Sequence, residues 1–224
     1  QTDSAVYQYY YDAGGNLVSS QFVRPGAGGL ATPQGLTFSP RGLLVASRDT
    51  NLVLLYDATT GAYVDEFTPE PLVNPQGLAF DATTGGLLVA SKGSDRVLSY
   101  DSTGGYLKKF NSEDMKVPQG AIVGPDGYLY VASRDTNEVL RYYGPGVAGV
   151  RPQDIGTFKD VFINRGLGGL NGPTGLVFGK DGNLYVSSSR SNEVLRFTPG
   201  GVFIDVFVKT VASPQGLAVD GSGN

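Results

Sequence analysis

The sequence predicts an all-β chain, a β-propeller of four-stranded antiparallel blades, with four blades complete and one composite and incomplete. Three observations carry this. A Pro-x-Gly tripeptide opens a shared pattern at Pro33, Pro75, Pro118, Pro173 and Pro214, a period of about 42 residues that is longer only once. Each copy holds four short segments of strand character. No stretch shows helical periodicity over a useful length.

The first repeat shows how the pattern reads. Pro33-Gln34-Gly35 is a turn signal, and Leu36-Thr37-Phe38 alternates apolar and polar as a half-buried strand does. Ser39-Pro40-Arg41-Gly42 breaks that strand. Leu43 to Ser47 is then nearly continuously apolar, as expected of a strand covered on both faces. The polar turn Arg48-Asp49-Thr50-Asn51 follows, and a β-branched and aromatic strand runs from 52 to 57. After Asp57 to Gly61 turns again, residues 62 to 67 make an outer strand that carries Asp65 and Glu66.

In chain order, Val6-Tyr7-Gln8-Tyr9 matches Val139 to Tyr142, and Asn16 to Val23 matches Gly201 to Val208, so the chain enters at strand three of a blade. Tyr9-Tyr10-Tyr11 cannot all face inward. The glycine-rich runs Arg24 to Leu30 and Arg165 to Leu170 read as connections between blades. A phosphate loop needs a strand before it and a helix after it. The third repeat is longer by roughly 12 residues, inserted after Tyr142, and long loops in compact repeats often bind. Leu217 to Val219 reads as the innermost strand of a fifth blade, whose strands three and four are the N-terminal segments. Its second strand would follow Gly221 to Asn224, so the expectation is a chain that continues, or a neighbouring subunit whose strand fills the open blade.

Residues 1–224 read as one domain, long enough for a sizeable core. No segment has the length and apolarity of a membrane span or the pattern of a signal peptide. A formal net charge of −4 argues against nucleic acid as partner. Zero Cys excludes disulfides and thiolate sites, and zero His removes the usual general base and every Ser-His or Cys-His mechanism. The chain contains no Asn-x-Ser/Thr acceptor for N-glycosylation.

The line Pro-x-Gly followed by Gly-x-Leu-Tyr-Val-(Ala/Ser)-Ser and Asn-x-Val-Leu-x-(Tyr/Phe) resembles the NHL repeat and, more distantly, the six-bladed propellers of the SMP-30 and gluconolactonase group, over nearly the whole chain. The resemblance implies a parent ring of five or six blades. Lactonases of that group hold a divalent metal through a Glu in a Glu-Gly-Pro element. The matching positions here are Gln34, Gln76, Gln119, Thr174 and Gln215, and a neutral amide is a poor substitute at a hard-cation site. Where NHL repeats usually carry Asp after the second strand, this chain has Ser47, Ser91, Ser133 and Ser188.

The expected function is a non-catalytic binding or scaffold propeller, extracellular or at the cell surface, presenting one face to a glycan, an acidic peptide or a neighbouring subunit. A metal-dependent lactonase or hydrolase of SMP-30 type is the alternative. Candidate ligand-binding residues are Arg48, Asp49, Lys92, Arg134, Asp135 and Arg190 in the turns after strand two, together with Gln34, Gln76, Gln119 and Gln215 where strand one enters. No catalytic residue, metal ligand or cofactor is assigned.

Overall fold

The computed structural model describes residues 4–68 and 72–219. Val6–Tyr11 (β1) and Leu17–Val23 (β2) pair as an antiparallel hairpin. Four blades follow, and their hydrogen-bonded order is the chain order. Blade 1 is Pro33–Ser39 (β3), Gly42–Ser47 (β4), Leu52–Tyr56 (β5) and Tyr63–Glu66 (β6). Blade 2 is Pro75–Asp81 (β7), Gly86–Ser91 (β8), Arg96–Tyr100 (β9) and Tyr106–Phe110 (β10). Blade 3 is Pro118–Val123 (β11), Leu129–Ser133 (β12), Glu138–Tyr142 (β13) and Phe158–Ile163 (β14). Blade 4 is Pro173–Phe178 (β15), Leu184–Ser188 (β16), Glu193–Phe197 (β17) and Phe203–Val208 (β18). Helical structure among the described residues is limited to single 3-10 turns, two of them in the glycine-rich connections at Ala27–Gly29 and Leu167–Gly169.

Burial follows the repeat. Every residue of β4 and of β8 is buried because a neighbouring blade lies against each face, while β6, at the rim, is exposed throughout. The core lies in the seams between blades. One cluster joins Leu44 and Leu55 of blade 1 to Leu87, Val89 and Leu98 of blade 2, and another joins Tyr130 of blade 3 to Leu176, Leu184 and Leu195 of blade 4. Each such side chain, taken fully out of water, contributes about 1.5–3 kcal/mol. Strand three ends in a buried ring that meets an aromatic from strand four edge-on: Tyr56 with Tyr63 and Tyr100 with Tyr106, both at 6.0 Å, and Phe197 with Phe203 at 5.7 Å.

Two devices set blade spacing. Asn51, Asp95, Asn137 and Asn192 hold left-handed backbone, which Asn and Asp tolerate best among residues with a side chain. Their Oδ1 atoms accept the N–H groups of Asn74, Val117, Gly172 and Ser213 in the following connection at 2.7 to 2.8 Å. At the axis, Gly35, Gly77, Gly120 and Gly175 bring each innermost strand against the backbone of the next repeat.

The expected blade pattern holds, with strand limits within two residues of those read from the sequence in blade 1. One expectation is corrected. Leu217 to Val219 lies beside blade 4 but is not a strand, and among the described residues no strand pairs with it. Gly221 to Asn224 fall outside the described residues. All of Tyr9, Tyr10 and Tyr11 are exposed.

Candidate functional site

The register places the turn after strand two beside the entry of strand one. Pro33 pairs with Ser47, Pro75 with Ser91, Pro118 with Ser133 and Pro173 with Ser188. The candidate turn residues and the candidate glutamines therefore share one face, around the mouth of the central channel. The four buried serines anchor that face. Their hydroxyls accept the N–H of Ala31, Val73, Lys116 and Asn171, each at 2.9 Å, and tie the incoming connection to the turn. Where NHL repeats carry Asp, these short hydroxyls perform a structural task.

Two of the four candidate cations are neutralised within the face. Arg48 Nε donates to Asp49 at 2.7 Å, and this bond, helped by the Thr32 hydroxyl, holds the Asp49 carboxyl below the usual carboxylate range. Arg190, one place later in its turn, reaches back to blade 3 and donates to Asp135 at 2.6 Å and to the Arg134 carbonyl at 3.4 Å. It acts as a clasp between blades. Lys92 and Arg134 remain. Gly93 stands where blade 1 has Asp49, so Lys92 lacks a carboxylate next door, and the Asp135 beside Arg134 is already engaged by Arg190. Among the described residues no carboxylate pairs with either side chain. Two cations without a carboxylate partner among the described residues thus occupy the same position on adjacent blades.

Gln34, Gln76, Gln119 and Gln215 line the channel together with Thr174 and the axial glycines, around a space of about 130 Å³. That is well below the volume of ordinary ligand pockets, and the channel itself has no room for a sugar. Gln34 donates to the Pro33 carbonyl at 3.1 Å, Gln76 to Asn74 Oδ1 at 2.6 Å and Gln215 to the Ser213 carbonyl at 3.3 Å, each within its own blade entry. Thr174 instead crosses to the next repeat, donating to the Pro214 carbonyl at 2.8 Å.

The metal site of the SMP-30 pattern does not fit these residues. Its carboxylate position is an amide or a hydroxyl in every repeat, and no cluster of three acidic or other ligating side chains occurs among the described residues. The pairing of the sequence neighbours Arg48 and Asp49 was legible in the sequence, whereas the reach of Arg190 to Asp135 across blades was not. Gly93 in place of Asp was the legible signal for Lys92.

No protein-family model matches this chain, and no curated protein matches it. Solved structures do. The chain is similar to a streptogramin B lyase, with 17% identity and a TM-score of 0.69 over 100% of this chain and 69% of the other. It is also similar to a catalytically inactive His-to-Ala variant of virginiamycin B lyase from Staphylococcus aureus with quinupristin, at 16% identity and TM-score 0.64, over 93% and 65% of the two chains. A candidate gluconolactonase matches at 18% identity and TM-score 0.63, over 87% and 70%. The chain spans about two thirds of the length of these structures, and at such identities the likeness is one of fold. The class is thereby defined: an all-β propeller of the architecture that these lyases and the gluconolactonase share.

Proposed function

We propose that the channel-mouth face binds a carboxylate-bearing ligand, an acidic glycan or peptide, through Lys92 and Arg134. The observation that supports this is that pair of cations on adjacent blades, beside a channel lined by amides. A guanidinium and an ammonium without a carboxylate partner among the described residues favour an anion, and the Arg fork suits a carboxylate in particular. An extracellular or cell-surface setting belongs to the same proposal. The test is calorimetric titration with a glucuronate-containing disaccharide and with its neutral glucose counterpart at low salt. Binding of the acidic sugar alone is expected, and equal binding of both contradicts the reading.

The comparisons favour an enzyme over a plain scaffold, since the similar structures are two lyases and a gluconolactonase. A second reading is therefore a lactonase or hydrolase acting at the same face. It meets the absence of His from the sequence and the lack of a carboxylate at the metal position. Titration with Ca²⁺, Mg²⁺ and Zn²⁺ separates the two readings. Micromolar binding that raises Tm, together with acid release from a sugar lactone, favours the enzyme; neither effect is expected if the face only binds.

A further inference from the structure

Blade 3 turns a filled face toward blade 4. Tyr130 meets Phe162 edge-on at 4.9 Å and Phe178 of blade 4 at 5.2 Å, and the Arg141 guanidinium lies 4.8 Å from the Phe162 ring centre. Blade 4 repeats the same pair of positions as Tyr185 and Arg196. Blade 2 does not. Leu88 pairs with Ser99 as Tyr130 pairs with Arg141, so a leucine and a serine stand where the later blades have a tyrosine and an arginine. Phe162 falls in a bulge of β14 that the shorter β10 lacks, and Val123 ends the first strand of blade 3 where Phe178 ends that of blade 4.

With those large side chains missing, a cavity of about 160 Å³ remains between blades 2 and 3. Its wall is mainly Leu87, Leu88, Phe110, Val123 and Leu129, with Asp81, Thr84, Ser99 and Lys108 as polar members. The long loop after Tyr142 forms its roof. Pro145 and Ile155 reach over the opening, and Lys108 Nζ donates to the Ile155 carbonyl at 3.2 Å, which fastens the loop across the seam. The insertion unique to this repeat covers part of the gap without filling it. The cavity's volume is close to that of an apolar cavity of about 150 Å³ that takes up benzene.

We propose that this cavity is a second binding site, separate from the channel mouth, for a small apolar ring of about benzene's size that carries one polar substituent turned toward Ser99 and Lys108. The probes are benzene and phenol, added to the full chain. Both raise Tm, and both shift the methyl resonances of Leu88, Val123 and Leu129 while leaving Leu54 in blade 1 unmoved; phenol acts at lower concentration than benzene. Leu88→Phe combined with Ser99→Leu fills the space, and in that variant the rise in Tm disappears. The proposal is overturned if neither probe raises the Tm of the parent chain, or if the rise persists undiminished in the filled variant. Should the filled variant fail to fold, the methyl resonances of the parent chain decide, and shifts at Leu54 as large as those at Leu88 overturn it.

Discussion

Gly77 lies so close to the next blade that a β-carbon placed on it would stand 2.4 Å from the backbone oxygen of Gln119. The same contact recurs from Gly35 to Gln76, from Gly120 to Thr174 and from Gly175 to Gln215, so the glycines of the first four Pro-x-Gly tripeptides are spacing elements for the ring. A β-carbon on Gly216 would meet nothing within 4 Å. Gly77→Ala should therefore cost about 1–3 kcal/mol, the usual range for forcing atoms into a packed site, and Gly216→Ala about 0.5 kcal/mol or less. Urea denaturation of the two variants checks this, and equal costs would refute the spacing role.

Leu88 is 5% exposed and belongs to the cluster between blades 2 and 3, so Leu88→Ala should cost about 2–5 kcal/mol. The double variant Arg48→Ala with Arg134→Ala should leave Tm nearly unchanged. The Arg48–Asp49 pair is an exposed contact between sequence neighbours, of a kind that contributes about 0–1 kcal/mol. Thermal melts measure both. A large loss in the double variant would mark the turn residues as structural.

Stability should fall at both ends of the pH scale for separate reasons. Burial pushes the Asp160 carboxyl up, but hydrogen bonds from Arg141 and Lys159 outweigh it and hold the group below its ordinary range. A depressed carboxylate contributes stability above its unfolded value of about 3.9, and that contribution is lost as pH falls through the lower folded value. Asp160→Asn should flatten the acid limb of a plot of Tm against pH. At the alkaline end, burial raises the Tyr142 phenol to about 12, with a smaller opposing effect from its hydrogen bond with Ser112. Burial raises Tyr56, Tyr100 and Tyr130 as well. Their contribution is complete below about pH 10, the unfolded value, and is lost as pH rises through the folded values. A spectroscopic titration should show these phenols ionising together with unfolding, and normal ionisation of all tyrosines in the native state would contradict it.

Amide hydrogen exchange should separate the two ends of the repeat pattern. Leu43 to Ala46 are fully buried in a ladder with strands on both sides, while Leu217 to Val219 have no ladder partner among the described residues. Protection should be strong in the first segment and weak in the second. Equal protection in a dilute monomeric sample would show that another part of the chain pairs with 217–219.

Blade order and strand identity were legible because each strand carries its own period: alternation in Leu36-Thr37-Phe38, a continuous apolar run in Leu43 to Ala46, and charge in Asp65 and Glu66 at the rim. The convergence of the turn cations on one face was legible too, since the repeat fixes where each turn emerges. The pairing of Arg48 with its neighbour Asp49 was legible as well, but the state of the other cations was not. Pairing of Arg190 with Asp135 depends on a reach across blades that sequence spacing does not encode. Asn51 and its equivalents could be read as turn formers, but their bonds to the next connection exist only once blades are side by side. Leu217 to Val219 has the composition of a strand, yet composition cannot supply the partner that a strand requires.

In the proposed binding mode Lys92 and Arg134, and not the paired Arg48 and Arg190, form the anion-binding part of the channel mouth. The most direct measurement is calorimetric titration of the glucuronate-containing disaccharide into two variants, Lys92→Gln with Arg134→Gln and Arg48→Gln with Arg190→Gln, at two salt concentrations. The account predicts that the first variant loses binding at least tenfold, about 1.4 kcal/mol, while the second keeps it within about threefold, and that the affinity of the parent chain falls with added salt. Equal loss in both variants, or unchanged binding in the first, would contradict it.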